Sequence, residues 1–240
     1  LVRSATKVRK DIIDNCPSLK IIGRGGVGMD NIDVEYARKN GIEVINTPAA
    51  SSESVAELVF AHLFGGVRFL HDSNRNMPLE GDTRFKELKK NYGGGRELRE
   101  KTLGIVGFGR IGREVAKIAL GCGMKVIASD REVGEADITL TFYDGQNITL
   151  KIKTAPIDKL IKHSDFISLH VPSQSGYLIG KEEISKMKEG VGIINAARGG
   201  ILDENALLEA IEDGKVSFAA LDVFENEPTP SIKVLMHDKI

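Results

Sequence analysis

Residues 102–130 read TLGIVGFGRIGREVAKIALGCGMKVIASD. An apolar run, Leu103–Gly107, leads into glycines at 107, 109 and 112. A helical pattern follows, with Ile111, Val115, Ile118 and Ala119 on one face. A second apolar run, Lys125–Ser129, ends at Asp130, 18 residues after Gly112. GxGxxG alone is a weak signal. Between a strand and a helix, with an acid beyond the next strand, it is the fingerprint of a dinucleotide site. Gly107 permits the tight turn, Gly109 lets the backbone approach a pyrophosphate, and Gly112 lets the helix pack against the strand. The helix start, with Arg110 and Ile111 in its first turn, offers unpaired N–H groups and partial positive charge to phosphates. Asp130 is expected to accept both ribose hydroxyls and to repel a 2′-phosphate, which favours NAD over NADP. Arg131 argues the other way, because an arginine pairs with such a phosphate.

The pattern extends on both sides of this unit. Apolar strands recur at Phe166–Val171, Val191–Ala196 and Ser217–Asp222, separated by helical patterns such as Ile157–His163 and Glu204–Glu212. Strands alternating with helices predict an α/β fold, a doubly wound parallel sheet with helices on its faces. Residues 138–152 alternate with period two around Asp144-Gly145, which predicts a hairpin inserted on that sheet. On the N-terminal side, a short run at Leu19–Gly23 precedes a glycine loop, and a helix is expected over Val34–Lys39. Ile42–Asn46 reads as the next strand, and Thr47-Pro48 closes it. A long helix is expected from Ser51 to Phe69, capped at Ser52 or Ser54 with Glu57 completing a capping box, as a bridge between two lobes. The polar, glycine-rich stretch from His71 to Arg99 reads as a connector and subunit contact. These divisions predict a partial substrate lobe at 1–50, a nucleotide domain at 51–228 and a return segment at 229–240.

Hydrophobic residues make up 41% of the 240, enough for a real core. Lys and Arg total 33 against 34 acids, so the charge balance gives no footprint for nucleic acid or an anionic membrane surface. No apolar run is long enough to span a bilayer. With only Cys16 and Cys122, no disulfide frame is expected, and a reducing cytoplasmic setting is. The chain opens and closes abruptly, and residues are expected to be missing at both ends.

The stretch GIINAARGGILDE, 192–204, sets Arg198 at the end of a buried strand, with two glycines after it. In a doubly wound sheet, ligands bind beyond the carboxyl ends of the strands. An arginine there can hold a carboxylate with two parallel hydrogen bonds. Spacing alone fits equally well a surface arginine paired with Asp203 or Glu204. The next strand ends similarly, with Asp222 at its terminus and Glu227 just beyond. A carboxylate at that edge can raise the pKa of a histidine acid/base, though spacing alone favours a solvated acidic turn.

Eight segments together carry a resemblance over almost the whole chain: VRSATKV, GRGGVGMDNID, INTP, SVAEL, KTLGIVGFGRIG, SDFISLHVP, INAARGGILDE and ALDVFENEP. In these the chain resembles the D-isomer-specific 2-hydroxyacid dehydrogenases. The resemblance implies a Rossmann-like NAD domain, a flavodoxin-like substrate lobe of which part is present, and an active site in the cleft between them. It implies that Arg198 is catalytic and that Glu227 is the acid partner of a catalytic histidine. It assigns cofactor contacts to His170, Val171, Pro172, Ala196, Ala197, Arg198 and Asp222. It assigns substrate contacts to Arg3 and Ser4, beside a phosphate, to the backbone at Gly26 and Val27, at the carboxylate, and to Arg24. The implied ligands are NAD and a phosphorylated 2-hydroxy acid, with hydroxypyruvate or glyoxylate reduction and NAD-sensing, corepressor-like binding as the alternatives. No metal is implied. A homodimer or homotetramer is.

The family's catalytic histidine lies after the glutamate in a Pro-His setting, which does not occur here. Of His62, His71, His163, His170 and His237, only His237 falls in the right region, and its flanks, Met236 and Asp238, do not match. His62 reads as packed in the core. The histidine is therefore expected beyond residue 240.

Overall fold

The computed structural model describes residues Leu1–Ile240, which divide into two compact units, Leu1–Ser54 and Val55–Ile240. In the first unit, helix α1 (Lys10–Asp14) precedes strand β1 (Ile21–Arg24), helix α2 (Val34–Lys39) and strand β2 (Glu43–Asn46). The two strands pair in parallel, Ile22 opposite Val44 and Arg24 opposite Asn46. Val2 adds a parallel bridge on Arg24. The β–α–β pattern follows from local signals. Asp33 caps α2 by accepting the Tyr36 N–H, and Gly41, at φ +74°, ends the helix after Asn40. Val8, Ile13, Ile22, Ile32, Ala37, Ile42 and Val44 close a small core.

The second unit begins within helix α3 (Ser52–Val67). The helix starts at Ser52, so Ser54 and Glu57 lie inside it instead of forming the expected capping box. The Ser52 hydroxyl donates to the Pro48 carbonyl. The supposed connector after it holds two helices, α4 (Leu70–Glu80) and α5 (Phe85–Tyr92). α4 lacks the apolar stripe by which a helix is recognised and buries no residue, whereas the short α5 sets Phe85, Leu88 and Tyr92 at helical spacing and buries only Leu88. Arg84 between them pairs with both Glu80 and Glu87.

Strands β3 (Thr102–Val106), β4 (Lys125–Ser129), β7 (Phe166–Leu169), β8 (Val191–Asn195) and β9 (Val216–Leu221) form one parallel sheet in the order β4-β3-β7-β8-β9. Helices α6 (Arg110–Gly121), α7 (Ile157–His163), α8 (Lys181–Ser185), α9 (Glu204–Glu212) and α10 (Ile232–Leu235) complete the unit. Alternate strand residues face opposite cores. Leu103, Ile105, Phe166 and Ile194 pack with Ala56, Val59, Leu63, Val115 and Ala119 of α3 and α6. Val106, Ile167, Leu169 and Ile193 pack with Leu160, Ile184 and Leu207 of α7, α8 and α9. The sheet is doubly wound, as its nearly unbroken apolar strands require.

The hairpin is present as strands β5 (Glu135–Thr141) and β6 (Asn147–Lys153) turning at Asp144-Gly145, with Gly145 at φ +85°. It forms a separate two-stranded sheet and does not join the parallel one as expected. Only Thr154, just past β6, makes a parallel bridge to Ala128 of β4. Counting Thr154 as a one-residue strand, the order becomes 3-2-1-4-5-6, that of a dinucleotide-binding sheet. One face of the hairpin is apolar, and its base is anchored on the α3/α6 core through Ala136 and Ile138, while Ile148 and Leu150 stay exposed. The other face carries Lys151 between Glu135 and Asp137.

This difference along one face is measurable by urea unfolding. Ile138→Ala should cost about 2–5 kcal/mol, the usual range for truncating a buried isoleucine. Leu150→Ala should stay within about 0.5 kcal/mol of wild type, as surface changes do. Equal costs would mean that the hairpin packs differently.

Candidate cofactor and substrate sites

β3 ends in the glycine loop. Gly107 has φ +95°, and a Cβ there would lie 2.6 Å from the His170 carbonyl oxygen. A Cβ on Gly112 would lie 2.1 Å from the Gly107 carbonyl oxygen. Both positions are closed to any side chain by backbone. Gly109 differs: a Cβ there would meet no protein atom within 4 Å. It caps α6 in extended conformation and is exposed beside exposed Arg110, so the first-turn N–H groups face open space. The three glycines thus split by role, two for packing and one for access, as a bound pyrophosphate needs.

Asp130 follows β4. Its Oδ2 accepts the Phe108 N–H at 2.6 Å, and its Oδ1 accepts those of Glu132 and Val133 at 2.9 and 3.0 Å. Burial opposes its charge, but the three N–H donors and the nearby Arg113 outweigh that and hold its pKa below the ordinary value. A carboxylate has roughly four acceptor sites. Three are taken by backbone, so Asp130 has room for one ribose hydroxyl, not for the two expected. Beside it lies a cleft of about 750 Å³, lined by Val106, Ser129, Asp130, Thr154, Pro156, Val171, Pro172 and Leu178, among others. It sits at the carboxyl edge, around the point where the chain leaves β4 and resumes on the far side of β3, the switch point where such sheets bind ligands. Arg131 reaches over to Gln174 at 3.1 Å.

Three loops leave the carboxyl ends of β7, β8 and β9. In the first, His170 Nε2 lies 2.7 Å from the Ser168 hydroxyl, and Nδ1 is buried without a partner. Burial pushes its pKa down to about 3, so the ring is neutral. In the second, Asn195 Oδ1 accepts the Ala197 N–H and its Nδ2 donates to the Arg198 carbonyl. This bracket shapes the turn, and the Arg198 guanidinium donates to the Ala197 carbonyl at 2.6 Å. Ala197 is 7% exposed and Ala196 packs on the core, so both have mainly backbone to present. In the third, the Asp222 N–H donates to the Asn195 carbonyl, and Glu227 Oε1 accepts the Phe224 N–H at 2.9 Å. A Cβ on Gly199 would lie 1.8 Å from the Phe224 carbonyl oxygen, so the Arg198 and Glu227 loops touch there. Asn195 was not among the expected site residues. Its signal is a lone amide ending an all-apolar strand.

Among the histidines, His62 departs from its expectation. His62 is not closed in the core. It lines a second cavity of about 450 Å³ with His71, Asp72, Tyr92 and Leu221, and burial lowers its pKa although the Asp222 charge opposes this. His237 Nδ1 accepts the Lys239 N–H and lies 3.4 Å from Asp238.

In the first unit, the Val2 bridge brings Arg3 and exposed Ser4 to the end of β1, and the Gly25 N–H donates to the Val2 carbonyl. A Cβ on Gly25 would lie 3.9 Å from Arg3 Cγ, and one on Gly26, at φ +149°, would collide with the Arg24 guanidinium. Arg3 and Arg24 therefore flank one glycine turn. The Gly26 N–H, expected at a substrate carboxylate, already donates to the Thr47 hydroxyl at 2.9 Å. Val27 contributes its carbonyl to Asn46 Nδ2.

A parallel sheet of this order, with a glycine crossover closed by backbone and a cleft at its switch point, defines a dinucleotide-binding domain. Comparison with known proteins carries this further. Residues 60–240 match the family model for the D-isomer specific 2-hydroxyacid dehydrogenase, NAD binding domain. A hydroxypyruvate reductase of Thermotoga maritima is 48% identical over 95% of this chain and 69% of its own length. A D-3-phosphoglycerate dehydrogenase of Methanocaldococcus jannaschii is 42% identical over 100% of this chain and 44% of its own length. The chain thus spans less than half of that second relative. Among solved structures, a D-lactate dehydrogenase of Aquifex aeolicus complexed with NAD and lactic acid aligns with TM-score 0.76 and 34% identity over 99% of this chain and 72% of that one. The chain belongs to the D-isomer specific 2-hydroxyacid dehydrogenase family, and its cofactor is NAD. No helix is long and apolar enough to cross a membrane.

Two measurements test this geometry. Gly109→Val should weaken NADH binding, followed by fluorescence titration, with little change in melting temperature. Gly112→Ala should lower the melting temperature, because its methyl has no space. Equal effects on both would deny the split of roles. The buried His170 gives a pH test. Its folded pKa, about 3, lies below the ordinary 6.5, so the unfolded chain binds more protons between those values. Stability should fall as pH drops through that window. The fall in urea midpoint from pH 7 to pH 5 should be smaller in His170→Gln than in wild type.

Proposed function

We propose that the chain serves an NAD-dependent dehydrogenase of D-2-hydroxy acids, and that its substrate pair is D-3-phosphoglycerate and 3-phosphohydroxypyruvate. The carrying observation is the pair Arg3 and Arg24 beside the Gly25 turn, with the Ser4 hydroxyl next to them. Two guanidiniums with a hydroxyl donor suit a phosphate, which an unphosphorylated acid does not present.

NAD, when bound, supplies the acceptor for the C2 hydrogen. The first-turn amides at Arg110, Ile111 and Gly112, reached past Gly109, would hold its pyrophosphate. Asp130 would accept one ribose hydroxyl, and the turn at His170, Val171 and Pro172 would wall the adenosine side. Ala196, Ala197 and Asp222 would meet the nicotinamide end. Arg198 clamps the substrate carboxylate and stabilises negative charge on the C2 oxygen, the electrostatic role that gains most from a preorganised site. In the first unit, the Gly26 and Val27 backbone would be the carboxylate contact, the Gly26 amide by releasing the Thr47 hydroxyl and the Arg24 carbonyl. Glu227 would orient a histidine acid/base and raise its pKa. Such a positioned acid/base contributes about 10²–10⁴-fold.

A second reading, hydroxypyruvate or glyoxylate reduction, is favoured by the 48% identity to a hydroxypyruvate reductase. Initial rates of NADH oxidation with phosphohydroxypyruvate and hydroxypyruvate separate the two. Arg3→Ala should raise KM for the phosphorylated substrate by at least about tenfold, the loss of one charged hydrogen-bonded contact, and leave hydroxypyruvate unaffected. An unchanged KM, or a preference for hydroxypyruvate in wild type, would move the function to the second reading.

A further inference from the structure

The loop after β9 carries a carboxylate, Glu225, that has no part in the chemistry above. Its Oε1 accepts the Glu204 N–H at 2.9 Å, and its own N–H donates to Glu204 Oε1 at 2.8 Å. Each glutamate closes the other's backbone. Glu204 is the first residue of α9, and Asp203 already accepts the N–H groups of Asn205 and Ala206, so Glu225 completes that helix start from another loop. The exchange is sheltered, since Glu204 is only 6% exposed. The second oxygen of Glu225 accepts the Tyr177 hydroxyl at 3.3 Å, and Tyr177 lies on the loop after β7. One side chain thus joins all three loops at this edge.

What those loops carry gives the joint its purpose. Glu225 follows Phe224, whose N–H holds Glu227 and whose carbonyl closes on Gly199 next to Arg198. We infer that Glu225 is a positioning residue: through its reciprocal bonds with Glu204 it fixes the placement of Glu227 against Arg198. This rests on the reading that Arg198 and Glu227 work on the substrate. Asp203 caps α9 locally at Asn205 and Ala206, and the Glu204 N–H beyond its reach is left to Glu225. Glu204 is kept buried beside the charges of Glu225 and Glu227. Burial first, and those charges with it, push its pKa up. An arrangement that sets three carboxylates together costs stability, and its return is a fixed distance between two functional loops.

The test uses the full-length protein and the faster of phosphohydroxypyruvate and hydroxypyruvate. Glu225→Ala should lower kcat by about ten- to a hundredfold, as misplacement of a reacting group by about 1 Å does, with NADH affinity within about twofold. Glu225→Gln keeps an acceptor for the Glu204 N–H and should restore most of kcat. Glu204→Gln keeps the reciprocal acceptor and should do the same. Tyr177→Phe removes only the third bond at an exposed site and should cost a few-fold; it stands in if Glu225→Ala does not fold. A lower melting temperature with unchanged kcat in Glu225→Ala would reduce the clasp to a structural joint and overturn the inference. So would Glu225→Gln as slow as Glu225→Ala, which would make charge the property that matters. Arg198→Lys is measured beside them. If it turns over like wild type, the reading of Arg198 itself fails and takes the clasp's purpose with it. If Arg198→Lys is slow while Glu225→Ala is not, the inference alone fails.

Discussion

Three stretches of backbone meet at the mouth of the glycine loop with no space for a side chain. The Gly107 carbonyl would stand 2.1 Å from a Cβ on Gly112, and the His170 carbonyl 2.6 Å from one on Gly107. β3, α6 and the end of β7 are locked at van der Waals contact by this crossing. The consequences spread outward. α6 is held close enough to bury Val115, Ala116 and Ala119 completely. The strands beside β3 are then drawn to one level, so the loops after β4 and β7 open at the same edge and line one cleft. A methyl on Gly112 would push the helix off β3, one on Gly107 would push off the end of β7, and either would misalign the walls of the cleft.

A similar exchange of side chain for backbone occurs deeper in the sheet. A Cβ on Gly66 of α3 would come within 2.3 Å of the Phe218 ring, and one on Gly192 of β8 within 2.6 Å. Phe218 fills the space of both missing side chains and faces Phe166 at 6.2 Å. At the opposite, amino end of the strands, Arg96 donates to the Gly190 carbonyl and the Ser217 hydroxyl and stacks over Phe166. Burial lowers its pKa, although Asp165 opposes this. The result is a sheet fastened at its base and layered through its middle, with its carboxyl edge left for loops.

The parts of this fold legible in the sequence are those whose cause is local. The strand–glycine–helix unit, α7 at Ile157–His163 and α9 at Glu204–Glu212 follow from periodicity and turn chemistry within a few residues. The hairpin turn at Asp144-Gly145 does too, but where the hairpin docks does not, because only a distant core decides that Ile138 is covered and Leu150 is not. α4 was hidden for the opposite reason: a helix that buries no residue has no apolar period to read, and in α5 the period of Phe85, Leu88 and Tyr92 runs for only eight residues. At the site, spacing pointed to Asp130 and the family resemblance to Arg198 and Glu227, but neither could say what already occupies them. Three backbone donors on Asp130, the Thr47 hydroxyl on Gly26 and the Asn195 bracket all join residues far apart in sequence or across a turn.

The acidic groups at this edge obey one rule with two outcomes. A carboxylate set among backbone N–H groups is drawn toward its charged form, and burial or like charges draw it back. Asp130 has three such donors and Arg113 nearby, and its pKa falls despite burial. Glu204 has one donor, with Glu225 and Glu227 beside it, and its pKa rises. The same residue chemistry thus draws Asp130 toward its ionised form and makes Glu204 the group that gives up its proton reluctantly. The difference follows from how many peptide N–H groups each loop turns inward, together with the burial of Glu204 and the charges beside each group. Loop geometry at the end of a parallel sheet therefore does more than place side chains. It also sets how firmly each carboxylate holds its proton.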